Sequence, residues 1–189
     1  MSAFGSWSES SPNPHSRQVV RSASPATLTL SGDEDESRLR YPWSQITGAV
    51  TVVKSGRANL LLRQPNANTG SWILRAGTTT LEDSAVQGAA YGGTDLHGTF
   101  GASTNVVVGA DATLVFKTAR AAFAKGARLT VEPGGKVQMD ADQVVDFLTV
   151  GTGLKKAGAY TAAKNPEFVQ GPGTLTVRVG EGGTMILFR

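Results

Sequence analysis

Three aspartates, Asp140, Asp142 and Asp146, are the residues whose type and spacing come nearest to a catalytic arrangement. Glycoside hydrolysis needs two carboxylates at a fixed separation. Asp140 and Asp142 are two positions apart, so in an extended chain their side chains lie on one side. An exposed turn after a strand also explains both residues. His97 is the histidine nearest to them in the sequence, but no motif pairs it with a nucleophile.

Lyase chemistry with an Arg or Lys base beside a carboxylate-bound Ca²⁺ stays an alternative, since its residues would be scattered in the sequence, and no other motif indicates catalysis. There is neither a nucleophilic-elbow serine nor a glycine loop at a strand–helix junction that could hold phosphate. The acidic run 33–36 could bind Ca²⁺, although a lone run of carboxylates is usually a solvated loop. The chain has no cysteine, which removes disulfides, thiolate metal sites and thiol nucleophiles. We predict that the protein is not an enzyme and has no catalytic residue, metal site or cofactor.

Four residues are candidates for binding. Arg120, Lys125 and Arg128 cluster near one predicted turn and could bind an acidic polysaccharide, although a solvated corner also accounts for them. Trp72 is the fourth candidate. An exposed indole can stack on a sugar ring, whereas a buried one belongs to the core.

Composition limits the class of protein. Charged residues make up 17% of the 189 residues, below the roughly 25% of ordinary soluble domains, and glycine is abundant at 23 residues. The net charge is +3, and the basic residues are spread along the chain instead of forming the basic face that binds nucleic acid. No apolar run approaches the roughly 20 residues of a membrane-spanning helix, and the polar N-terminal stretch lacks a signal-peptide core. We predict no nucleic-acid partner and no transmembrane segment in this chain.

The elements that must position these residues are short β-strands separated by Gly or Asn. The predicted strands lie at 26–30, 49–53, 59–62, 71–74, 78–81, 105–108, 112–116, 127–131, 136–139, 144–150, 173–179 and 184–188. Their spacing is typical of a β-sandwich, a barrel or a solenoid. Repeated Leu-x-Val units followed by glycine turns favour the solenoid, because stacked Leu and Val form continuous inner columns and Gly permits tight corners.

The chain divides into a loose Ser- and Pro-rich leader at 1–25 and a β-solenoid domain at 26–189. Within the domain, the glycine-rich segment 87–104 is expected to be a loop that projects from a corner. Residues 118–125 could form two helical turns, but Gly126 follows directly, and we expect a loop or a distorted rung there. An uncapped solenoid end exposes unpaired strand edges, which charged residues such as Lys155, Lys156 and Arg178 would protect.

Residues 54–78 (KSGRANLLLRQPNANTGSWILRAGT) resemble the passenger-associated transport repeat of autotransporter-type proteins, K-x-G-x-G-x-L-x-L-x-G-x-N-x-Y-T-G-x-T-x-x-x-x-G-T-L. The matching positions are Lys54, Gly56, Leu60, Leu62, Asn66, Thr69, Gly70, Gly77 and Thr78. The departures include Ala58 for the second Gly, Gln64 for the Gly before the Asn, Asn68 for the aromatic residue and Trp72 for the Thr.

A second stretch, 126–179, is similar to the closing segment of repetitive bacterial surface proteins. Its matching elements are Leu148 to Gly151, Ala157 to Ala162 and Gly171 to Val179. The closing rungs are accordingly placed at 126–189. Together the two stretches cover about 40% of the chain, and motifs of this kind are moderately specific because glycine-rich β repeats converge readily.

These resemblances imply an all-β fold of the right-handed parallel β-helix type, a single-stranded, pectin-lyase-like β-solenoid, on the cell surface or outside the cell. They imply a structural or adhesive, non-catalytic segment whose partners are other parts of a larger surface protein and possibly glycans. The alternative function is a carbohydrate-active module that binds or cleaves acidic polysaccharide. A β-sandwich with an interaction role is a third option, which antiparallel pairing would indicate.

Several residues of the repeat motif also have structural roles that follow from their own chemistry. Asn66 is the position best suited to an inward asparagine that bonds backbone groups at a corner, with an exposed turn asparagine as the alternative. Gly70 and Gly77 are expected to take left-handed or crowded turn conformations. With Lys54 and Gly56, these residues form the predicted structural motif.

Overall fold

The computed structural model describes residues 19–32, 39–41, 45–83 and 97–180. Within these ranges there are fifteen strands and no helix, and most strands belong to one sheet dominated by parallel pairing, which confirms the all-β prediction. In chain order the strands are β1 (Val19–Ser31), β2 (Leu39–Tyr41), β3 (Gln45–Ser55), β4 (Leu60–Leu62), β5 (Ala67–Asn68), β6 (Trp72–Leu81), β7 (Asn105–Phe116), β8 (Arg128–Val131), β9 (Lys136–Met139), β10 (Gln143–Val145), β11 (Phe147–Val150), β12 (Gly153–Leu154), β13 (Gly158–Tyr160), β14 (Val169–Gln170) and β15 (Leu175–Val177).

Alternating burial explains why these segments form strands. In β8 and β9, Leu129, Val131, Val137 and Met139 are buried, while the residues between them are partly exposed. Successive side chains in a strand point to opposite faces, so a Leu-x-Val unit directs both apolar side chains to the same side. Each such unit therefore contributes one inward-facing pair to a shared core.

In the first ladder, parallel strands lie side by side, and each strand pairs with the next one that the chain adds to the ladder. We call each such return of the chain a pass. The ladder contains β1, β3, the first half of β6, the first half of β7, β8 and β11. Its register places Val52, Trp72, Val106, Leu129 and Leu148 in one inner row, and all five are buried. The row is a continuous apolar column through five passes of the chain.

The second ladder contains β2, β4, the second half of β6, the second half of β7, β9 and β14. Leu62, Leu81, Phe116 and Met139 are aligned in its inner row, and all four are buried. A register shift after Leu74 lets the single strand β6 serve both ladders. The two inner rows supply one common core.

The number of residues in each pass varies while the register is kept. Trp72 pairs with Val106, 34 positions later, whereas Leu129 pairs with Leu148, 19 positions later. Every pairing along both ladders is parallel. A β-sandwich of the immunoglobulin kind is built from antiparallel strands, so the sandwich option does not fit these ladders.

The last strands pair differently from the rest. β11 turns back into β12 as an antiparallel hairpin, and β13 pairs antiparallel with β15, which runs parallel to β10. The predicted single strand over 144–150 is wrong, because Asp146 separates β10 from β11. The chain changes partner strands there: β10 pairs with β15, whereas β11 pairs with β8.

The beginning of the described chain also differs from the prediction. β1 begins at Val19, because residues 19–22 pair in parallel with β3 and place Val20 opposite Ile46. β1 thus extends into residues 19–25 of the segment predicted as the leader, while residues 1–18, the acidic run 33–36 and the predicted strand 184–188 lie outside the described residues. Residues 118–125 form no helix, and Ala122 is buried among them, as expected for a distorted connection.

Candidate functional site

The motif residues Lys54, Gly56 and Gly77 meet at one corner between successive passes. Lys54 is 0% exposed, and its Nζ donates to the carbonyl oxygens of Gly56 at 2.6 Å and Ala76 at 2.7 Å. Gly56 and Gly77 have φ angles of 76° and 70°, in the left-handed region that favours glycine. A buried ammonium must be hydrogen-bonded, so this lysine holds two consecutive passes together.

Asn66 and Gly70, on either side of β5, both contact β3. A β-carbon on Gly70 would overlap the backbone carbonyl of Val50, so the position is crowded, as predicted. Asn66 Oδ1 accepts from the Ile46 N–H at 3.0 Å, and its Nδ2 donates to the Thr99 carbonyl at 2.8 Å. The Asn66 side chain is buried, as an inward corner asparagine requires, and an exposed turn asparagine does not describe it.

Trp72 lies in the core, which removes it from the candidate binding residues. It is 0% exposed, and its Nε1 donates to the Phe100 carbonyl at 3.0 Å and to Asn68 Oδ1 at 3.2 Å. Its ring packs edge-on against Phe100 with 5.4 Å between centroids. A sugar cannot reach this indole. Sequence reasoning missed Asn68, which is also buried and donates to the Val50 carbonyl, because a polar residue near a turn normally indicates exposure.

The three aspartates that could have formed a catalytic pair each accept a local hydrogen bond. Asp140 Oδ1 accepts from Gln138 Nε2 at 2.6 Å, and Asp142 Oδ1 accepts from the Thr174 N–H at 2.7 Å. Asp146 is buried and accepts from the Gly126 N–H and from Arg178. The structure therefore gives all three carboxylates a role in holding the backbone or a neighbouring side chain.

Arg120 belongs to a group with Asp83 and Thr118. Thr118 Oγ1 donates to Asp83 Oδ1 at 2.7 Å, and Arg120 Nε lies 3.9 Å from the same oxygen. His97 pairs with Asp83 in an isolated antiparallel bridge. The backbone of this group is fixed by Gln143, whose Nε2 donates to the carbonyls of Thr118 and Arg120.

Arg128 has a different partner from Arg120, so the predicted basic cluster is divided. Its guanidinium lies over the Phe147 ring, 5.4 Å from the centroid. Lys125 occupies an exposed turn, and the next residue, Gly126, donates its N–H to Asp146. Lys125 and Arg128 thus lie next to the dipeptide Asp146–Phe147, which we call the Asp146–Phe147 step. Arg120 instead faces Asp83.

Two further cations lie beside the same step. Arg178 Nε donates to Asp146 Oδ1 at 2.6 Å. The Lys155 N–H donates to the Leu148 carbonyl, and a β-carbon on Gly180 would lie 2.5 Å from the Lys156 Cα, so Lys156 is near the segment that follows Arg178. We call Lys125, Arg128, Lys156 and Arg178 the basic stripe. Lys125 and Arg128 are close in the sequence, whereas Lys156 and Arg178 follow much later in the chain, which is why sequence spacing did not assemble the whole stripe.

In the described part of the chain, no group of three or more His, Cys, Asp or Glu residues could hold a metal ion. Among the same residues, no helix is long and apolar enough to cross a membrane. Comparison with protein-family models, with curated proteins and with solved structures finds no match to this chain.

Proposed function

We propose that the chain is a right-handed, single-stranded parallel β-helix that serves as a structural, adhesive segment of a bacterial surface or secreted protein. The observation that carries this proposal is the continuous inner row from Val52 to Leu148, which is aligned by parallel pairing at every step. A parallel stack of this kind gains a longer core with each added pass, since each pass contacts mainly its neighbours. That property suits an extended scaffold.

The right hand of the coil is supported by a general preference of polypeptides. Connections between parallel strands of one sheet are right-handed in about 98% of cases, because of the twist of the strands. The contacts among Lys54, Gly56 and Gly77 support the β-helix itself, since residues that carry the resemblance to the autotransporter repeat meet there in space.

A non-catalytic role is supported by what the candidate carboxylates do. Asp146 is bonded to a backbone N–H and to a guanidinium, and Asp142 is bonded to the Thr174 N–H. General acid–base catalysis needs a carboxylate within hydrogen-bond reach of its substrate. Carboxylates that already anchor the fold are better explained as structural groups.

Fractionation of the cells that make the protein tests the proposal. An antibody against residues 126–179 should detect the chain in the surface or medium fraction, in a band well above 19.7 kDa. Detection of a 19.7 kDa band in the cytosol alone would overturn the surface role. Incubating the purified chain with polygalacturonate tests whether the protein is non-catalytic. Any release of reducing ends or unsaturated products would contradict that role.

A further inference from the structure

The basic stripe lies around Asp146 and Phe147. Arg128 begins β8 and pairs with Phe147 in β11. Lys156 follows two residues after β12, and the Lys155 N–H before it donates to the Leu148 carbonyl. Arg178 joins the stripe through Asp146, the residue directly before Phe147.

Two of these cations are held in place by other side chains. The Arg128 guanidinium rests on the Phe147 ring, a cation–π arrangement that orients it. Asp146, whose side chain is 9% exposed, accepts from Arg178 Nε, while the Arg178 side chain remains 55% exposed. Side chains that are already ordered lose less conformational entropy when they bind a ligand.

The backbone that carries the stripe is also fixed. The Gly126 N–H bonds to Asp146, which ties the Lys125 turn to the following pass. A β-carbon on Gly180 would lie 2.5 Å from the Lys156 Cα, so the chain after Arg178 is in close contact with Lys156. Among the described residues, the stripe groups four cations near the buried Asp146 carboxylate on a fixed backbone.

We infer that the basic stripe binds a linear anionic polysaccharide that carries carboxylates along its length. This inference rests on the proposed adhesive role and names the ligand class and the residues that would perform it. The planar guanidinium groups of Arg128 and Arg178 match a carboxylate with two parallel hydrogen bonds. Lys125 and Lys156 add two point charges.

The described surface favours a polysaccharide over a nucleic acid. Single-stranded nucleic acids bind through aromatic rings that stack on bases, and the Phe147 ring is already covered by Arg128. An anionic membrane attracts the same cations but is usually bound by an amphipathic helix with apolar side chains to insert. The stripe instead lies on strands and tight turns.

The test is a binding titration of the full chain with three probes of matched charge concentration: polygalacturonate, single-stranded DNA and vesicles containing phosphatidylserine. We expect polygalacturonate to bind most tightly, with affinity falling as salt is raised. The Arg128→Gln/Lys156→Gln variant should bind polygalacturonate at least about tenfold more weakly, because two of four cations are lost.

The matched control is Lys117→Gln/Lys164→Gln, which removes the same charge from exposed positions at the end of β7 and in the turn before β14. It should keep wild-type affinity. Equal losses of affinity in both variants would show a non-specific charge effect and would overturn the assignment of binding to the basic stripe. Preferential binding of DNA or vesicles would overturn the ligand class. If polygalacturonate does not bind while the protein fractionates with the cell surface, this inference fails and the proposed function stands.

Discussion

Lys54 Nζ lies 2.6 Å from the point that a β-carbon on Gly77 would occupy. The two residues are 23 positions apart and belong to different passes, yet each restricts what the other can be. The ammonium needs the carbonyl of Ala76, and that carbonyl is within reach only because the next residue has no side chain and takes a left-handed conformation. The Lys54 ammonium therefore joins the turn at Gly56 to β6, the neighbouring strand that contains Ala76.

Replacing Gly77 with Ala should destabilise the protein by more than about 3 kcal/mol, since a left-handed alanine is strained and its β-carbon overlaps the Gly56 and Arg57 carbonyl oxygens. The free energy of unfolding in urea measures the effect. Gly126→Ala is the matched control: Gly126 has a similar φ of 80°, but nothing lies within 4 Å of its β-carbon position. It should cost only the left-handed strain, about 1–2 kcal/mol. Equal losses at the two glycines would contradict the crowding at the Lys54 corner.

Replacing Lys54 with Met should cost about 2–4 kcal/mol, because methionine fills the space but leaves the Gly56 and Ala76 carbonyls without their donor. Urea unfolding of Lys117→Met, an exposed lysine, supplies the reference and should change little. If Lys54→Met were as stable as the wild type, the two carbonyls would have other partners and the lysine would not join the passes.

The parallel register can be tested by disulfide formation, since the chain has no native cysteine to interfere. Val107 and Thr130 are partners on the outer face of the first ladder, and Thr130 and Thr149 are the next pair. Adjacent strands place paired Cα atoms near 5 Å, inside the range that a disulfide spans. The variant Val107→Cys/Thr130→Cys should oxidise to a cross-linked form, detected by its mobility in denaturing gels.

The control for the cross-link is Val107→Cys/Thr149→Cys, which joins positions two strands apart. Their Cα atoms are separated by about 10 Å, too far for a disulfide without backbone movement. Efficient oxidation of this pair, with none at 107 and 130, would place β11 rather than β8 beside β7. The order of passes on which the β-helix proposal depends would then be wrong.

Replacing Trp72 with Phe should cost about 1–3 kcal/mol, since the Phe100 carbonyl and Asn68 Oδ1 lose a buried donor. The same variant should bind polygalacturonate with unchanged affinity, because the indole is enclosed by the core. Urea unfolding and polygalacturonate titration of one preparation separate the effect on stability from the effect on affinity. A loss of affinity with unchanged stability would return Trp72 to the binding residues.

Much of the strand pattern was accessible from sequence because it follows from local rules. Leu-x-Val units with glycine turns predicted β8 and β9 at nearly the observed bounds. The same rules gave β10 and β11 as one strand, because nothing in the residues around Asp146 signals that the chain changes neighbours there. That change depends on Gly126 and Arg178, which lie 20 and 32 positions away.

The site was less accessible than the fold. Lysine is seldom fully buried, so the sequence offered no reason to place Lys54 inside, although the resemblance marked it as part of a motif. The predicted cluster of Arg120, Lys125 and Arg128 was based on proximity along the chain. In the structure, Arg120 lies near Asp83, whereas Arg128 and Arg178 contact Phe147 and Asp146, which are consecutive residues. Strand pairing, and not nearness along the chain, brings these side chains together.

The unequal spacing of paired residues, 34 positions between Trp72 and Val106 but 19 between Leu129 and Leu148, has a practical consequence. Register is set by the inner rows and corner bonds rather than by the length of each connection, and longer loops add little entropic cost. The connections between passes are therefore suitable places to graft foreign peptides. An epitope or a binding loop inserted there would be displayed by the scaffold, while the core that supports it keeps its alignment.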